Sequence, residues 1–469
     1  MIVARAWAGR HYAVLGLARS GAATVRALLA GGAQVTAWDS DAAKRAAILP
    51  EPARGGGPAK PVEGQMRDGS ASAPPPSLRD GPPPQAKLGE DLVVADLETV
   101  DLAGFDALVV SPGVPLNRHP LAAKARAAGV PIIGDIELFA QARADLPPHR
   151  VVGITGTNGK STTTALVHHM LETAGIPTGM GGNIGLPILA QEPLPEGGVY
   201  VLELSSYQID LTRSLDCDVA VLLNITPDHL DRYDGFAGYA ASKARLFAMQ
   251  APDHCAIVGI GDAPSAEIAR DLSRTRGATV VKIAPGVCMD QSRWPSLQGP
   301  HNAQNALAAL NVAEALGVPG EAIDRALETF SGLPHRMERV ATLGGVAWID
   351  DSKATNPEST APALAAFPRI HWIVGGRAKG DDLDACMPHI GHVVRAYTIG
   401  EAGARFAEVL RPHVPVAEAE TLERAVKIAA QEAQRGEVVL LSPAAASFDQ
   451  FRDYEHRGAA FRAAVEALA

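Results

Sequence analysis

Short apolar runs alternate with amphipathic stretches along most of the chain. Near the N-terminus, HYAVLGL and AQVTAWD have the pattern of buried strands, and AATVRALLAGG between them has helical spacing. The same succession returns in RVVGIT and the threonine-rich stretch after it, and later in VAWIDDS, HWIVGG and VVLLSPA. Strands that alternate with helices of this length predict parallel sheets covered by helices on both faces. We therefore expect an α/β protein.

The strongest local pattern is a glycine-rich turn between a strand and a helix, GITGTNGKST at 153–162. Small residues let backbone N–H groups approach a polyphosphate, and the helix N-terminus adds partial positive charge. Lys160 would then reach the β- and γ-phosphates, and the Ser161 hydroxyl would ligate Mg²⁺. The residue six positions before the lysine is Ile154 rather than glycine, so this loop is a variant of the usual one.

The chain length and the recurring pattern predict three domains. At roughly 150 residues per domain, 469 residues allow about three. We place a Rossmann-like domain at 1–139, a central P-loop ATPase-type domain with a parallel sheet at 140–332, and a C-terminal Rossmann-like α/β domain at 333–469. Residues 50–90 contain ten prolines, seven glycines and no aromatic residue, so they predict a flexible insertion in the first domain.

Composition narrows the class of protein. Hydrophobic residues make up 47% and charged residues 20% of the chain, which is typical of a globular protein. Aromatic residues are only 5%, which disfavours a nucleic-acid platform of stacked rings. The net charge of −10 means that anionic ligands must be bound by local sites rather than by a general basic field. No apolar stretch approaches 18 residues, so we expect a cytoplasmic chain without membrane insertion.

The first domain carries a second glycine-containing turn, Gly16–Gly21, between a predicted strand and a predicted helix. Asp39 ends the next strand, where an acidic residue would accept a ribose hydroxyl. The spacing is an incomplete dinucleotide fingerprint. A nucleotide-sugar site is equally compatible, and so is a turn that binds nothing.

Several polar residues follow predicted strands in the central domain. Glu203 ends the strand VYVLELSS, where a carboxylate can hold Mg²⁺ or simply cap the strand. His229 follows another strand and could ligate a metal, orient a carboxylate or be structural. Lys243 lies on a predicted helix, and on its own it reads as a solvated lysine.

Further polar residues occur at element junctions of the last 170 residues. The amides of HNAQN at 301–305 could read a base edge or cap a helix. His335 and Arg336, together with the loop at 350–356, suggest contact with phosphate and ribose. Lys379 and the segment at 442–447 also follow strands, and ligands of α/β sheets collect at such carboxyl ends. A shared cleft is therefore favoured over scattered surface charge.

Together these motifs resemble those of the Mur ligases. The resemblance covers all three predicted domains in order, excluding only 50–90, and rests on GITGTNGKSTTT, NIG, ELSSYQID, NITPDHLDRY, SKARLF, HNAQNALAA, GLPHRME, DDSKATNPEST and SPAAASFDQF. ELSSYQ and the last four look most like the members that add D-glutamate to UDP-N-acetylmuramoyl-L-alanine (UDP-MurNAc-L-Ala). The resemblance implies an ATP-dependent ligase of peptidoglycan synthesis. In that reaction a carboxylate is phosphorylated, and an amine then attacks the acyl phosphate. The predicted partners are these two small molecules, and we expect a monomer.

The resemblance also assigns roles to residues, motif by motif. It implies that ATP is bound by Gly156, Thr157, Asn158, Gly159, Lys160, Ser161, Thr162, Asn305, Arg336 and Asp351. It implies two Mg²⁺ sites, held by Ser161, Glu203, His229 and Lys243. Lys243 matches the family lysine that becomes carbamylated, a change that turns a cation into a carboxylate-like metal ligand. Lys353 would lie near the reacting phosphoryl group and completes the predicted catalytic set of Lys160, Glu203, His229, Lys243 and Lys353.

The substrate contacts are implied in the same way. The resemblance places D-glutamate at Thr355, Lys379, Ser447 and Tyr454, and the uridine nucleotide at Leu17, Asp39, Ser111 and Asn183. The first glycine turn and the residues after Asp39 depart from the family pattern.

Three other interpretations fit parts of the sequence. A folylpolyglutamate-synthase-type ligase shares the phosphate loop and the modified lysine but lacks a nucleotide-sugar domain. An NAD-dependent oxidoreductase would use the first glycine turn, and a phosphate-loop switch would bind nucleotide without ligase chemistry. The long segment before residue 140 disfavours the first of these, and the GKS loop disfavours the second.

Overall fold

The computed structural model describes residues 1–49, 91–228, 232–284, 286, 289–294, 296–378, 380 and 382–468. The predicted insertion at 50–90 lies outside them. The chain forms two compact units. The first comprises Met1–Leu146, Pro187–Pro193 and Leu211–Ser214, and the second comprises Pro147–Leu186, Leu194–Asp210 and Leu215–Ala469. None of the described helices is long and apolar enough to span a bilayer.

The first unit contains a parallel five-stranded sheet in the order β3-β2-β1-β4-β5. Its strands are β1 (His11–Leu15), β2 (Gln34–Trp38), β3 (Leu92–Val94), β4 (Ala107–Val110) and β5 (Ile132–Ile133). Its helices are α1 (Arg19–Ala30), α2 (Ala42–Ala47), α3 (Pro120–Ala127) and α4 (Asp135–Ala142). Strand β4 is buried throughout, as expected for a parallel sheet covered on both faces.

The second unit contains two sheets, of which the first is parallel and six-stranded, in the order β11-β10-β9-β6-β8-β7. Its strands are β6 (His149–Thr155), β7 (Thr178–Gly182), β8 (Gly198–Glu203), β9 (Val219–Leu222), β10 (Cys255–Gly259) and β11 (Val280–Ile283). Its helices are α5 (Lys160–Thr173), α6 (Ser206–Asp210), α7 (Gly235–Ala248), α8 (Ala263–Arg276), α9 (Pro300–Ala315) and α10 (Gly320–Thr329). The central strand β6 carries the phosphate loop at its carboxyl end.

The second sheet of this unit has six strands in the order β12-β13-β17-β14-β15-β16, and only β12 is antiparallel to its neighbour. Its strands are β12 (Glu338–Leu343), β13 (Val346–Asp350), β14 (Ile370–Gly375), β15 (Val393–Ile399), β16 (Val416–Glu420) and β17 (Val438–Leu441). Its helices are α11 (Pro357–Ala365), α12 (Gly403–Leu410), α13 (Leu422–Glu432) and α14 (Tyr454–Glu466). Apolar cores lie on both faces of this sheet, one around Trp372 and one around Trp348.

The predicted α/β class with parallel sheets is confirmed. Each of the three predicted domain ranges contains one sheet, and the sheets of the two later ranges fall together in the second compact unit. The residue boundaries between the domains stay a prediction.

Candidate active site

The phosphate loop joins β6 to α5, and its glycines are required by geometry. Gly159 has a φ of +84°, and an added Cβ there would lie 2.2 Å from the side-chain oxygen of Asn305. The helix begins directly after it, at Lys160, with the Thr163 amide donating to the Gly159 carbonyl. The backbone N–H groups of this first helical turn make the loop a site for an anion.

Two lysines converge on one backbone carbonyl of this loop. Lys160 Nζ donates to the carbonyl oxygens of Gly156 at 2.9 Å and Thr157 at 2.7 Å, and Lys243 Nζ donates to the same Gly156 oxygen at 2.9 Å. Lys243 is only 1% exposed. Burial, together with the charge of Lys160, lowers the pKa of Lys243 well below its ordinary value. Burial also lowers the pKa of Lys160. The Lys243 amine is therefore easier to deprotonate than that of a solvated lysine.

Glu203, at the carboxyl end of β8, presents an unsatisfied carboxylate oxygen. Its Oε1 accepts a 2.7 Å hydrogen bond from the Asn183 side chain, whereas no described residue bonds its buried Oε2. The hydroxyls of Thr163 and Thr164 are also buried without a partner among the described residues. Oxygen donors of this kind suit Mg²⁺, so Glu203 and the Ser161 hydroxyl fit the implied metal.

Arg336 connects the second sheet of this unit to the phosphate loop. Its Nη2 donates to the Ser161 hydroxyl at 2.9 Å, although the two residues are 175 positions apart in the sequence. The adjacent Lys353 places its Nζ 3.6 Å from the centre of the Tyr454 ring. Burial, together with the charge of Arg336, lowers the pKa of Lys353 to about 8. Two cationic side chains, from the loops before β12 and after β13, therefore line the same cavity as the loop that would bind polyphosphate.

Asp351 is buried beside Arg336 and is fixed by hydrogen bonds. Its two oxygens accept from the Met337 amide at 3.2 Å and from the Ser442 hydroxyl at 2.8 Å. Burial raises its pKa to about 7, against the effect of these hydrogen bonds. The carboxyl group can therefore change protonation near neutral pH.

A cavity brings together many of the residues predicted to bind ATP. Among the predicted residues its lining includes Asn158, Gly159, Thr162, Asn305, Arg336, Asp351 and Lys353. Asn305 donates to the side chain of Asn302, one turn earlier on α9, at 3.1 Å. The structure thus gathers, around one cavity, residues that are spread over almost 200 positions of the sequence.

A second cavity is lined by sequence neighbours of two of the residues predicted to bind D-glutamate, although none of the three predicted residues that the structure describes lines it. Asn356, Gly380 and Ala444 line it, together with Thr157 and Asn158 of the phosphate loop. Asn356 and Gly380 directly follow Thr355 and Lys379 in the sequence. Lys379 itself lies outside the described residues. Ser447 is buried at the start of the turn before α14. The backbone oxygen of Tyr454 accepts a 2.8 Å hydrogen bond from the Ser352 hydroxyl.

The predicted uridine contacts of the first unit, Leu17, Asp39 and Ser111, are hydrogen-bonded around the first glycine turn. Asp39 accepts from the Leu17 amide at 2.8 Å and from the Asp41 amide at 2.9 Å, one with each oxygen. Ser111 donates to the Gly16 carbonyl at 2.8 Å. Asp39 therefore shapes the glycine turn through the backbone. Asn183, the fourth predicted contact, belongs to the second unit, and His229 lies outside the described residues.

Two residues beside the predicted site were missed by the sequence reasoning. Tyr239 lies under Lys243, with the ammonium 4.7 Å from its ring centre, and its hydroxyl is 3.2 Å from the Thr157 hydroxyl. Its position four residues before Lys243 on one helix could have indicated this contact. Arg457 is buried and donates to Ser352 and to the Ala445 carbonyl, and its sequence context carries no comparable pattern.

The fold and the loop together define an α/β protein of the phosphate-loop class. Comparison with known proteins is more specific. Residues 154–285 match the Mur ligase middle domain, and residues 335–445 match the Mur ligase glutamate ligase domain. The UDP-N-acetylmuramoylalanine--D-glutamate ligase of Novosphingobium aromaticivorans is 61% identical over 100% of this chain and 97% of its own length. The protein of the same name from Sphingopyxis alaskensis is 57% identical over the full length of both chains. The chain belongs to the Mur ligase family.

Crystal structures of more distant proteins share the fold. MurC from Thermotoga maritima aligns with a TM-score of 0.54 over 98% of this chain and 100% of its own, at 16% identity. MurF from the same organism, in complex with ADP, aligns with a TM-score of 0.56 over 78% of this chain and 90% of its own, at 17% identity. At these identities the likeness concerns the fold alone.

Proposed function

We propose that this chain joins D-glutamate to UDP-MurNAc-L-Ala, with conversion of ATP to ADP and phosphate, in the synthesis of peptidoglycan precursors. The observation that carries the proposal is the full-length identity of 61% to a ligase named for this reaction. The gathering of Lys160, Arg336 and Lys353 around the phosphate loop supports it, because the reaction transfers a phosphoryl group between anions.

The chemistry needs an activated carboxylate. A carboxylate oxygen of the alanyl group attacks the γ-phosphorus of ATP, the bond to the β-phosphate oxygen breaks, and ADP leaves. The amine of D-glutamate then attacks the acyl carbon, a C–N bond forms, and phosphate departs as the amine loses a proton. Most of the catalysis is positioning and neutralisation of negative charge.

The residues of this chain can supply both the positioning and the neutralisation of negative charge. Lys160 would exchange its backbone carbonyl partners for phosphate oxygens, which are stronger acceptors. Arg336 and Lys353 would neutralise charge on the phosphoryl group, and Asn305 would lie near the base. Mg²⁺, bound through Glu203 and Ser161, would supply further neutralisation of the phosphates. A second Mg²⁺ at His229 and Lys243, a monomeric state and a cytoplasmic location remain predictions from the sequence.

The substrate assignment is tested by phosphate release with a panel of amino acids. We expect release only when ATP, UDP-MurNAc-L-Ala and D-glutamate are all present. L-Glutamate, L-alanine, L-lysine and diaminopimelate serve as the other arms, because other ligases of this kind add different amino acids. Release that prefers another amino acid, or that needs no uridine nucleotide, would contradict the proposal.

We also propose that Lys243 is carbamylated in the active enzyme. Its amine is buried and depressed in pKa, and addition of CO₂ with loss of a proton would replace a repelled cation by an anion beside Lys160. Exposed Lys282 on β11 gives a matched control. With ¹³C-labelled bicarbonate we expect a carbamate resonance in the wild type and in Lys282→Ala, but not in Lys243→Ala, which should be inactive. Full activity of Lys243→Ala would rule out this assignment.

A further inference from the structure

The turn that presents Arg336 has an unusual backbone. His335 and Met337, on either side of it, have φ angles of +62° and +50°. These are left-handed values that residues other than glycine adopt rarely, and they persist where the surrounding structure enforces them. The position of the Arg336 guanidinium therefore depends on whatever holds this turn.

A pair formed by a half-buried histidine and a fully buried aspartate anchors the turn. His335 Nδ1 lies 2.7 Å from Oδ2 of Asp350, which is fully buried at the end of β13. The other oxygen of Asp350 accepts from the Ser352 amide at 2.9 Å. Asp350 thus ties the Arg336 turn to the loop that begins at Asp351 and contains Lys353.

Backbone hydrogen bonds reinforce the same connection. The Lys353 amide donates to the His335 carbonyl at 3.0 Å, and the His335 amide donates to Glu338 at 2.9 Å. Glu338 also pairs with Arg462, so its carboxylate already has partners on both oxygens. The His335–Asp350–Glu338 group is therefore a satisfied hydrogen-bond network rather than a free set of metal ligands.

Helix α14 packs its backbone directly against the pair. A Cβ added to Gly458 would lie 2.0 Å from His335 Nδ1 and 2.6 Å from Asp350 Oδ2. Contacts this short are impossible without displacement of the pair. Glycine at 458 is thus the residue that lets the pair occupy its position.

We propose that His335 and Asp350 are positioning residues that fix Arg336 and Lys353 relative to one another for phosphoryl transfer. Neither His335 nor Asp350 is among the residues lining the cavity that Arg336 and Lys353 line, so the pair acts through its neighbours. The inference rests on the proposed ligase function, since it assigns these two cations to the nucleotide.

Gly458→Ala tests the inference because it displaces the pair without removing either partner. Gly391→Ala is the matched control, since a Cβ at Gly391 would meet nothing within 4 Å. For Gly458→Ala we expect the affinity for ATP, measured by calorimetry, to fall, and kcat/KM to fall by about 100-fold, as for a misplacement of about 1 Å. The control should keep wild-type values. A folded Gly458→Ala with the ATP affinity and kinetics of the control would overturn the inference.

If Gly458→Ala does not fold, two substitutions of Asp350 test whether the pair positions Arg336 and Lys353. Asp350→Asn keeps hydrogen-bonding atoms opposite His335 and Ser352, whereas Asp350→Ala removes them. We expect Asp350→Ala to lose ATP affinity and kcat/KM, and Asp350→Asn to regain most of both. Equal behaviour of the two variants would overturn the inference. A wild type that binds ATP but releases no phosphate with D-glutamate would contradict the proposed function alone, because the affinity comparison still reports on the pair.

Discussion

Two groups of buried or half-buried titratable residues in the second unit differ in how completely their hydrogen-bonding atoms are satisfied. The first, here the loop cluster, consists of Lys160, Glu203 and Lys243 around the phosphate loop. The second, here the strand cluster, consists of His371, Tyr397 and Glu437. In the loop cluster Glu203 Oε2 has no partner among the described residues, and both lysines share one carbonyl. Burial is common to both groups, so burial alone does not mark a site.

The strand cluster is saturated. His371 lies between the Tyr397 hydroxyl at 2.7 Å and Glu437 Oε2 at 2.9 Å. Tyr397 donates onward to Glu432 at 2.7 Å, and the other oxygen of Glu437 accepts two hydrogen bonds from Arg369. A fully paired network of this kind holds a structure together and leaves no group for a ligand.

The two clusters also lie at opposite ends of their strands. Lys160 follows β6, and Glu203 ends β8, so the loop cluster lies at carboxyl ends. His371 is the second residue of β14, and Glu437 directly precedes β17, so these two members of the strand cluster lie near amino ends. Tyr397 is the fifth of the seven residues of β15, and its hydroxyl reaches back to His371. Ligands of parallel sheets bind beyond the carboxyl ends, which agrees with the unsatisfied groups being found there.

The largest effect should come from removing a cation of the loop cluster. Lys160→Ala takes away a charge that would meet the phosphates of ATP, and we expect kcat to fall by about 1000-fold, near the upper end for a lost electrostatic donor. Lys282→Ala, an exposed substitution on the same sheet, should leave turnover unchanged. Steady-state phosphate release measures both. Near-normal turnover of Lys160→Ala would contradict the view that the loop cluster binds ligand while the strand cluster is only structural.

A smaller effect is expected from pH, through Lys353. Burial and the charge of Arg336 lower its pKa to about 8, so the ammonium is present below that pH and lost above it. We expect kcat/KM for ATP in the wild type to fall by about tenfold per pH unit above about 8. Lys353→Arg keeps its charge throughout this range and should move the decline to higher pH. An unchanged alkaline limb in Lys353→Arg would show that another group titrates.

Sequence reasoning predicted the local parts of the site and missed the long-range parts. The phosphate loop was predictable because a strand, a glycine turn and a helix follow one another within 25 residues. The strand β7 was not among the predicted strands, since its sequence TGMGG has three glycines and no apolar run. The contact of Arg336 with Ser161 spans 175 positions, and no local pattern encodes it.

The same limit applies to the strand cluster and to the His335–Asp350 pair. His371 and Glu437 are 66 positions apart, and each looks like an isolated polar residue in an apolar strand region. Motif resemblance supplied the roles of Arg336 and Asp351 but not the left-handed backbone on either side of Arg336. Side-chain pairing across a sheet depends on strand order, which periodicity does not determine.

The smallest effect on activity should come from the strand cluster, where a substitution should change stability instead. Burial acts to raise the pKa of Glu437, but hydrogen bonds from the Gln434 amide, His371 and Arg369 outweigh it and lower the pKa to about 2. The folded-state pKa lies below the ordinary value of 4.5. The ionised carboxylate therefore stabilises the fold fully at pH values above 4.5. This stabilisation is lost as the pH falls through about 2.

Glu437→Gln should therefore lower the free energy of unfolding by about 2 kcal/mol at pH 7, the size expected for a lost charged hydrogen bond. The difference from the wild type should shrink as the pH approaches 2, and urea denaturation at several pH values would measure it. Glu267→Gln, at an exposed position inside α8, is the matched control and should change neither quantity. Phosphate release should be normal in both variants at neutral pH. Lost activity with unchanged stability in Glu437→Gln would place the strand cluster in the catalytic machinery, because a saturated structural network affects turnover only through folding.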